Sequence, residues 1–164
     1  MRAIDLMTAP VVTIKSDATL GEAATSMLKH RVAALVVLDA NADIVGMLSH
    51  TSFAAERRFA PMGKEEFTLF GATGSADQLE QLFRGLKDRK VWEVMSQDVV
   101  TIEETAPFEM VIDTMLKKKV HRLPVIRNGA LAGIVTRHDL LKAIVQGEPS
   151  AGGESLEDRT KHLG

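Results

Sequence analysis

The sequence predicts an α+β protein of two pseudo-symmetric halves, each running strand, helix, strand, strand, helix, packed together through their sheets. Three observations carry this. An offset of 88 residues lays Met7 on Met95 and the stretch VVTI at 11–14 on VVTI at 99–102. Each copy then spaces apolar residues as one face of a helix. Each helix is followed by two short apolar runs around a polar turn. A repeated unit of this kind cannot bury its apolar surface alone, so two copies facing one another supply the missing cover.

The match between copies continues along the chain. Ala18 meets Ala106, Met27, Leu28 and Lys29 meet Met115, Leu116 and Lys117, and Val32, Leu35 and Val37 meet Val120, Leu123 and Val125. After one extra residue in the first turn, Gly46 meets Gly133.

In the first copy VVTI reads as the opening strand. Leu20, Ala23, Ala24, Met27 and Leu28 fall at i, i+3, i+4, i+7 and i+8, the apolar stripe of an amphipathic helix, and are expected in the core. ALVVLDANADIVGML (34–48) reads as a hairpin, with a second helix over roughly Thr51 to Ala60. Gly and Pro break the stretch from 61, which predicts a loop. Leu79, Leu82, Phe83 and Leu86 then return to helical spacing.

In the second copy Phe108, Val111, Ile112, Met115 and Leu116 repeat the stripe. Thr105 is the expected N-cap, with Pro107 in the first turn where the amide has no helical partner. LPVIRNGALAGIV (123–135) forms a hairpin about Asn128-Gly129, a two-residue turn signal. Pro124 lacks an amide donor, so its strand is expected to begin there or lie at an edge. A last helix follows over His138 to Val145. The predicted units are a first repeat at 1–60, a linker with a helix at 61–90, a second repeat at 91–146 and a polar, Gly-rich tail at 147–164 that is mobile or pairs with another chain.

Composition narrows the function classes. With 45% hydrophobic and 26% charged residues, the 164-residue chain is an ordinary globular sequence. A formal charge of -2 and a pI near 6.2 give no global attraction to nucleic acid or anionic membranes. The local basic set Arg84, Lys87, Arg89 and Lys90 reads as a solvated helix face, and no nucleic-acid partner is expected. There is no cysteine, which removes disulfides, thiolate nucleophiles and cysteine-bound metals. The start MRAIDLMTAP has no apolar core of a signal peptide, and no run reaches the roughly 18 apolar residues of a membrane span. A cytoplasmic location is expected. The five histidines have no metal-ligand spacing and no nucleophile stands beside a base, so an enzyme is not expected.

One stretch combines turn chemistry with charge. In GIVTRHD a strand ends at Val135, and a helix starting after Thr136 leaves free amides at its N-terminus, where an anion can sit. Asp139 stands three residues after Thr136. As N-cap and capping-box partner the two need no ligand. Alternatively, the Asp139 carboxylate, an acceptor-only group with two oxygens, takes both hydroxyl protons of a ribose diol while Thr136 binds through its hydroxyl. Arg137 and His138 add positive charge, and His121 and Arg122, ahead of the neighbouring strand, approach the same cleft.

With VVTI, VHRLPV and GIVTRHDL in this order, duplicated, the sequence resembles the CBS domain, and the two copies resemble the CBS pair called a Bateman module. The resemblance spans about residues 6–60 and 91–145. It implies two clefts between the halves that bind adenosine compounds (AMP, ADP, ATP or S-adenosylmethionine), a homodimer, no required cofactor, and a regulatory role on a separate partner protein. The family's Thr/Ser-x-x-Asp signature falls on Thr136 and Asp139. Its adenine pocket falls on Val100, Thr101, Ile102 and the backbone of Leu123, Pro124 and Val125. The first copy departs from the pattern. Ser49 keeps the hydroxyl, but Ser52 replaces the ribose acid and Ala33-Ala34 replace His-Arg. The resemblance therefore implies one competent nucleoside site around Asp139 and a weaker or empty one around Thr13, Ile14, Ala34, Ser49 and Ser52. The alternative is a scaffold protein with vestigial clefts.

Overall fold

The computed structural model describes residues 1–54, 67–69 and 72–145. A short helix α1 (Ala3–Leu6) precedes strand β1 (Thr13–Lys15), helix α2 (Leu20–His30) and strands β2 (Ala34–Leu38) and β3 (Ile44–Ser49). A 3₁₀ turn over His50–Ala54 follows; the rest of the helix expected to Ala60, and the whole 147–164 tail, lie outside the described residues. A small hairpin of β4 (Phe67–Leu69) and β5 (Ala72–Gly74) and helix α3 (Ala76–Leu86) lead to the second half. There α4 (Val91–Val94), β6 (Ile102–Glu103), α5 (Phe108–Lys118), β7 (Arg122–Arg127), β8 (Ala130–Thr136) and α6 (Leu141–Val145) repeat the pattern.

Each half holds a three-stranded sheet with the hairpin antiparallel and the opening strand parallel to its central strand, in the orders β1-β2-β3 and β6-β7-β8. At the second hairpin Asn128 and Gly129 have φ of 51° and 81° and join Arg127 to Ala130, the backbone that lets a two-residue turn match the twist of its strands. The first turn is longer, and Asp39 organises it by accepting bonds from the amides of Asn41 and Asp43 at 2.8 and 3.0 Å.

Several expectations are corrected. Pro124 sits inside the central strand, opposite Ile134, neither at its start nor on an edge strand. It is tolerated because β6 is two residues long and pairs with Val125 and Ile126, leaving the β6 side of Pro124 without a ladder. Thr105 does not cap α5; Pro107 occupies the cap position in extended conformation without a side-chain bond. In the first copy Thr19 makes a capping box with Glu22 at the equivalent place. The break after residue 61 contains the β4–β5 hairpin, so it is not all loop. Of the helical set after it, Leu86 is buried in the first half, and the side chains of Leu79, Leu82 and Phe83 lie outside the described residues. Leu28 and Leu116, expected in the core, are 80% and 72% exposed. A single helix covers the sheet with the face carrying Leu20, Ala23 and Met27, and i+8 falls about 80° around the helix from its first member.

The largest departure concerns connectivity between halves. Ala3 and Leu6 of α1 are fully buried, yet in the core of the second half, among Val111, Leu123, Val125 and Val135. Reciprocally, Val91 and Val94 of α4 enter the core of the first half, beside Leu20, Leu35 and Leu48. Each arm is stitched to its host by backbone bonds: Ala3 donates to Ala106 at 2.8 Å and Thr8 exchanges bonds with Ile134, while Val91 donates to Ala18 at 2.9 Å and Ser96 exchanges bonds with Met47. The two glycines matched by the repeat make this possible. A Cβ at Gly133 would fall 2.3 Å from Met7 Sδ and 3.0 Å from Met7 Cβ, and one at Gly46 would fall 2.5 Å from Met95 Sδ. Met7 and Met95, the pair that set the repeat, lie on glycine faces of opposite halves. The four-residue arm helices are too short for periodicity to reveal.

Among the described residues no helix is long and apolar enough to cross a membrane, and no cluster of three or more His, Asp or Glu could hold a metal ion.

Candidate ligand clefts

The arm exchange builds two concavities, each from the segment after one half's arm helix and the hairpin of the other half. The larger, about 580 Å³, joins Thr8 to Ile134, Thr136 and Asp139. The smaller, about 240 Å³, joins Ser96, Asp98, Val99 and Val100 to Met47, Ser49 and Ser52. Ala34, His121 and Arg122, from the starts of the two central strands, line both.

At the larger cleft the chain does not enter a helix at once after β8. Residues 137–140 form a turn, and α6 begins only at Leu141, so the expected helix N-terminus next to Thr136 is absent. The turn is held by Asp139, which is only 6% exposed. Its Oδ2 accepts from the Thr136 amide at 2.8 Å and the Thr136 hydroxyl at 2.7 Å. Its Oδ1 meets the Lys142 ammonium at 2.9 Å and, at 3.4 Å, the Thr8 hydroxyl. Lys142 also donates to the Leu6 carbonyl at 2.5 Å, tying this turn to the arm. Burial raises the carboxyl pKa, but the bonds from Lys142 and Thr136 outweigh it and hold Asp139 below its ordinary 3.8.

A carboxylate offers about four acceptor positions. Three are used at short range, and the fourth meets only the long approach from Thr8. Asp139 can therefore take one hydroxyl proton where the long Thr8 bond gives way, and a second only where Lys142 does too. This revises the expectation that both diol protons dock on a free carboxylate.

The expected lining residues divide between the clefts. Thr136, Arg137, His138 and Asp139 line the larger one, with His121 and Arg122 shared. Val100 and Pro124 line the smaller one, opposite Ser49 and Ser52. Ile102, Leu123 and Val125 are buried in the core, and Thr101 is exposed. Of the first-copy set, Ala34, Ser49 and Ser52 line the smaller cleft, while Ile14 packs against the first core and Thr13 lies in β1. Ser52 takes over the turn bond of the missing acid: its hydroxyl accepts from the Ser49 amide at 3.1 Å. It supplies no charge.

Thr8 and Arg31, which line the larger cleft, and Lys142, which pairs with Asp139, were not marked by the sequence. Thr8 has a repeat partner in Ser96, so a methionine followed by a hydroxyl recurs in both copies. Arg31, at φ 54°, ends α2 in the left-handed conformation, as Lys119 ends α5. Nothing local marks Lys142, whose contact lies 136 residues away. Arg122 is half-buried, and burial lowers its pKa, though a guanidinium stays charged in proteins.

Comparison with known proteins adds the following. The family model for the CBS domain matches residues 3–57 and 91–146. A CBS domain-containing protein of Dictyostelium discoideum is 31% identical over 144 residues, covering 86% of this chain and 89% of that protein. The chloroplastic CBS domain-containing protein CBSX1 of Arabidopsis thaliana is 25% identical over 138 residues. The chain covers 58% of CBSX1 and 23% of the inosine-5'-monophosphate dehydrogenase of Methanocaldococcus jannaschii, to which it is 28% identical. Among solved structures, the CBS domain of a CBS domain-containing membrane protein from Sphaerobacter thermophilus superposes with a TM-score of 0.65 at 32% identity, covering 87% of this chain and 86% of that one. A CBS domain pair in complex with 5'-methylthioadenosine and S-adenosyl-L-methionine has a TM-score of 0.65 at 21% identity, covering 90% and 98%. CBSX2 in complex with AMP has a TM-score of 0.64 at 22% identity, covering 88% and 96%.

Proposed function

The chain belongs to the CBS domain family, and from that premise we propose that it is a non-catalytic regulatory module that binds an adenosine compound in the larger cleft and signals its occupancy to a partner protein. One observation carries the reading: a buried, ionised carboxylate, Asp139, stands in the wall of a concavity of about 580 Å³ with one acceptor position held only by the long bond from Thr8. A ribose hydroxyl fits that position, and cavities of this size suit ligands of nucleoside dimensions. The complexes of CBS domain pairs with AMP and with S-adenosyl-L-methionine support the ligand class. The smaller cleft, with Ser52 in place of the acid and about 240 Å³ of room, is the weaker or empty site.

Thermal unfolding with and without adenosine nucleotides tests this. Ligand at 100 times its Kd stabilises the native state by about 2.7 kcal/mol. No shift at millimolar adenosine, AMP, ADP or ATP favours instead a scaffold with unoccupied clefts.

A homodimer is the second part of the proposal. Leu28 and Leu116, equivalent positions on α2 and α5, are the exposed leucines of the two stripes, and Leu28 borders an apolar groove with Met27, Val32 and Phe53. Covering such a surface with a second copy removes it from water. Light scattering is expected to give twice the 17.9 kDa chain mass. A monomer mass at micromolar concentration removes the dimer.

A further inference from the structure

The described arginines fall into two groups. Arg2, Arg84, Arg89 and Arg127 each lie within ion-pair range of a carboxylate: Asp5, Glu80, Glu93 and Glu104. Arg31, Arg122 and Arg137 have no acidic partner among the described residues, and all three line the larger cleft. The acid in that wall, Asp139, is already matched by Lys142. Three guanidinium charges therefore line one concavity without compensation from the described residues, with the imidazoles of His121 and His138 beside them.

Like charges gathered around one cavity repel each other and focus a positive potential into it. The guanidinium fork pairs with phosphate oxygens through two parallel bonds. One phosphate monoester carries at most two negative charges, fewer than the three guanidiniums present. The smaller cleft has no such surplus, since among the described residues Arg122 is its one arginine and Asp98 stands in its wall.

We infer that the larger cleft selects ligands with two or more linked phosphates and disfavours those with a net positive charge, because Arg31, Arg122 and Arg137 all line it with no acidic partner among the described residues. The ribose end of this ligand rests on the adenosine reading; the phosphate end does not. Among adenosine compounds the order is ATP over ADP over AMP, with S-adenosylmethionine, a sulfonium with an added ammonium, at or below adenosine.

Isothermal titration of the full chain, without divalent cations and at constant ionic strength, tests the order with adenosine, AMP, ADP, ATP, S-adenosylmethionine and inorganic tripolyphosphate. Each phosphate beyond AMP is expected to tighten binding about tenfold, the size of one charge-assisted bond. Raised salt should weaken ATP more than adenosine. In the double variant Arg31→Gln/Arg137→Gln the ratio of ATP to adenosine affinity collapses, and Arg31→Lys/Arg137→Lys keeps most of it. S-adenosylmethionine binding as tightly as ATP, or a ratio unmoved in the glutamine variant, overturns the inference. Tripolyphosphate binding without adenosine binding upholds the polyphosphate site and removes the nucleoside reading. Adenosine binding with no gain from phosphate does the reverse, and silence from every probe removes both.

Discussion

Asp139→Ala is expected to cost about 2–3 kcal/mol of stability as well as ligand affinity. The substitution deletes the acceptor for both the amide and the hydroxyl of Thr136 and leaves the Lys142 ammonium with the Leu6 carbonyl alone. Loss of binding in that variant therefore has two causes, and Asp139→Asn separates them. The amide keeps the shape and an oxygen for the two Thr136 bonds, so most of the turn is retained, while the ion pair with Lys142 and the charged acceptor are lost and adenosine binding should weaken about tenfold or more. Urea unfolding and titration calorimetry read the two effects. Unchanged adenosine affinity in the Asn variant would assign the carboxylate to the turn alone.

The same pair gives a pH signature. Because the folded pKa of Asp139 lies below its ordinary 3.8, the stability it contributes is complete above that value and is lost as pH falls through it towards the folded pKa. Across this acid range the wild-type urea midpoint should fall more steeply than that of Asp139→Asn. Parallel curves would contradict the depressed pKa.

Leu6→Ala should be the most destabilising single change in the N-terminal arm, at about 2–5 kcal/mol, the usual cost of a cavity at a fully buried leucine. Its location makes the result diagnostic. Leu6 belongs by sequence to the first repeat but fills the core that holds Leu123, Val125 and Val135. Hydrogen exchange should therefore accelerate first in β7 and β8, and the Thr8 contact with Asp139 should loosen, reducing ligand affinity. Exchange that accelerates instead in β2 and β3 would mean that the arm packs on its own half.

These two residues mark how far the sequence could be read. Helices α2 and α5, the hairpins and their duplication were legible because each depends on neighbours within one or two turns: apolar spacing in α2 and α5, two positive-φ residues at Asn128-Gly129, and a hydrogen-bonded pair three residues apart at Thr136 and Asp139, which closes a turn and caps no helix. The acid that defines the larger cleft, and its absence at Ser52, could be read for the same reason. Pro124 in a central strand could not, because its tolerance depends on how short the neighbouring strand is.

What the tertiary structure decided is which half each arm serves, and with it the membership of both clefts. Met7 and Met95 advertised a repeat, but nothing local says that each lies on the glycine of the other half. Hence Val100 and Pro124 face Ser52 and not Asp139, while Thr8 and Lys142, brought together from opposite ends of the described chain, complete the carboxylate's surroundings. Local periodicity and turn chemistry act over a few residues, whereas the contacts of Thr8 and Lys142 span 131 and 136, and only burial of two incomplete cores against each other selects them.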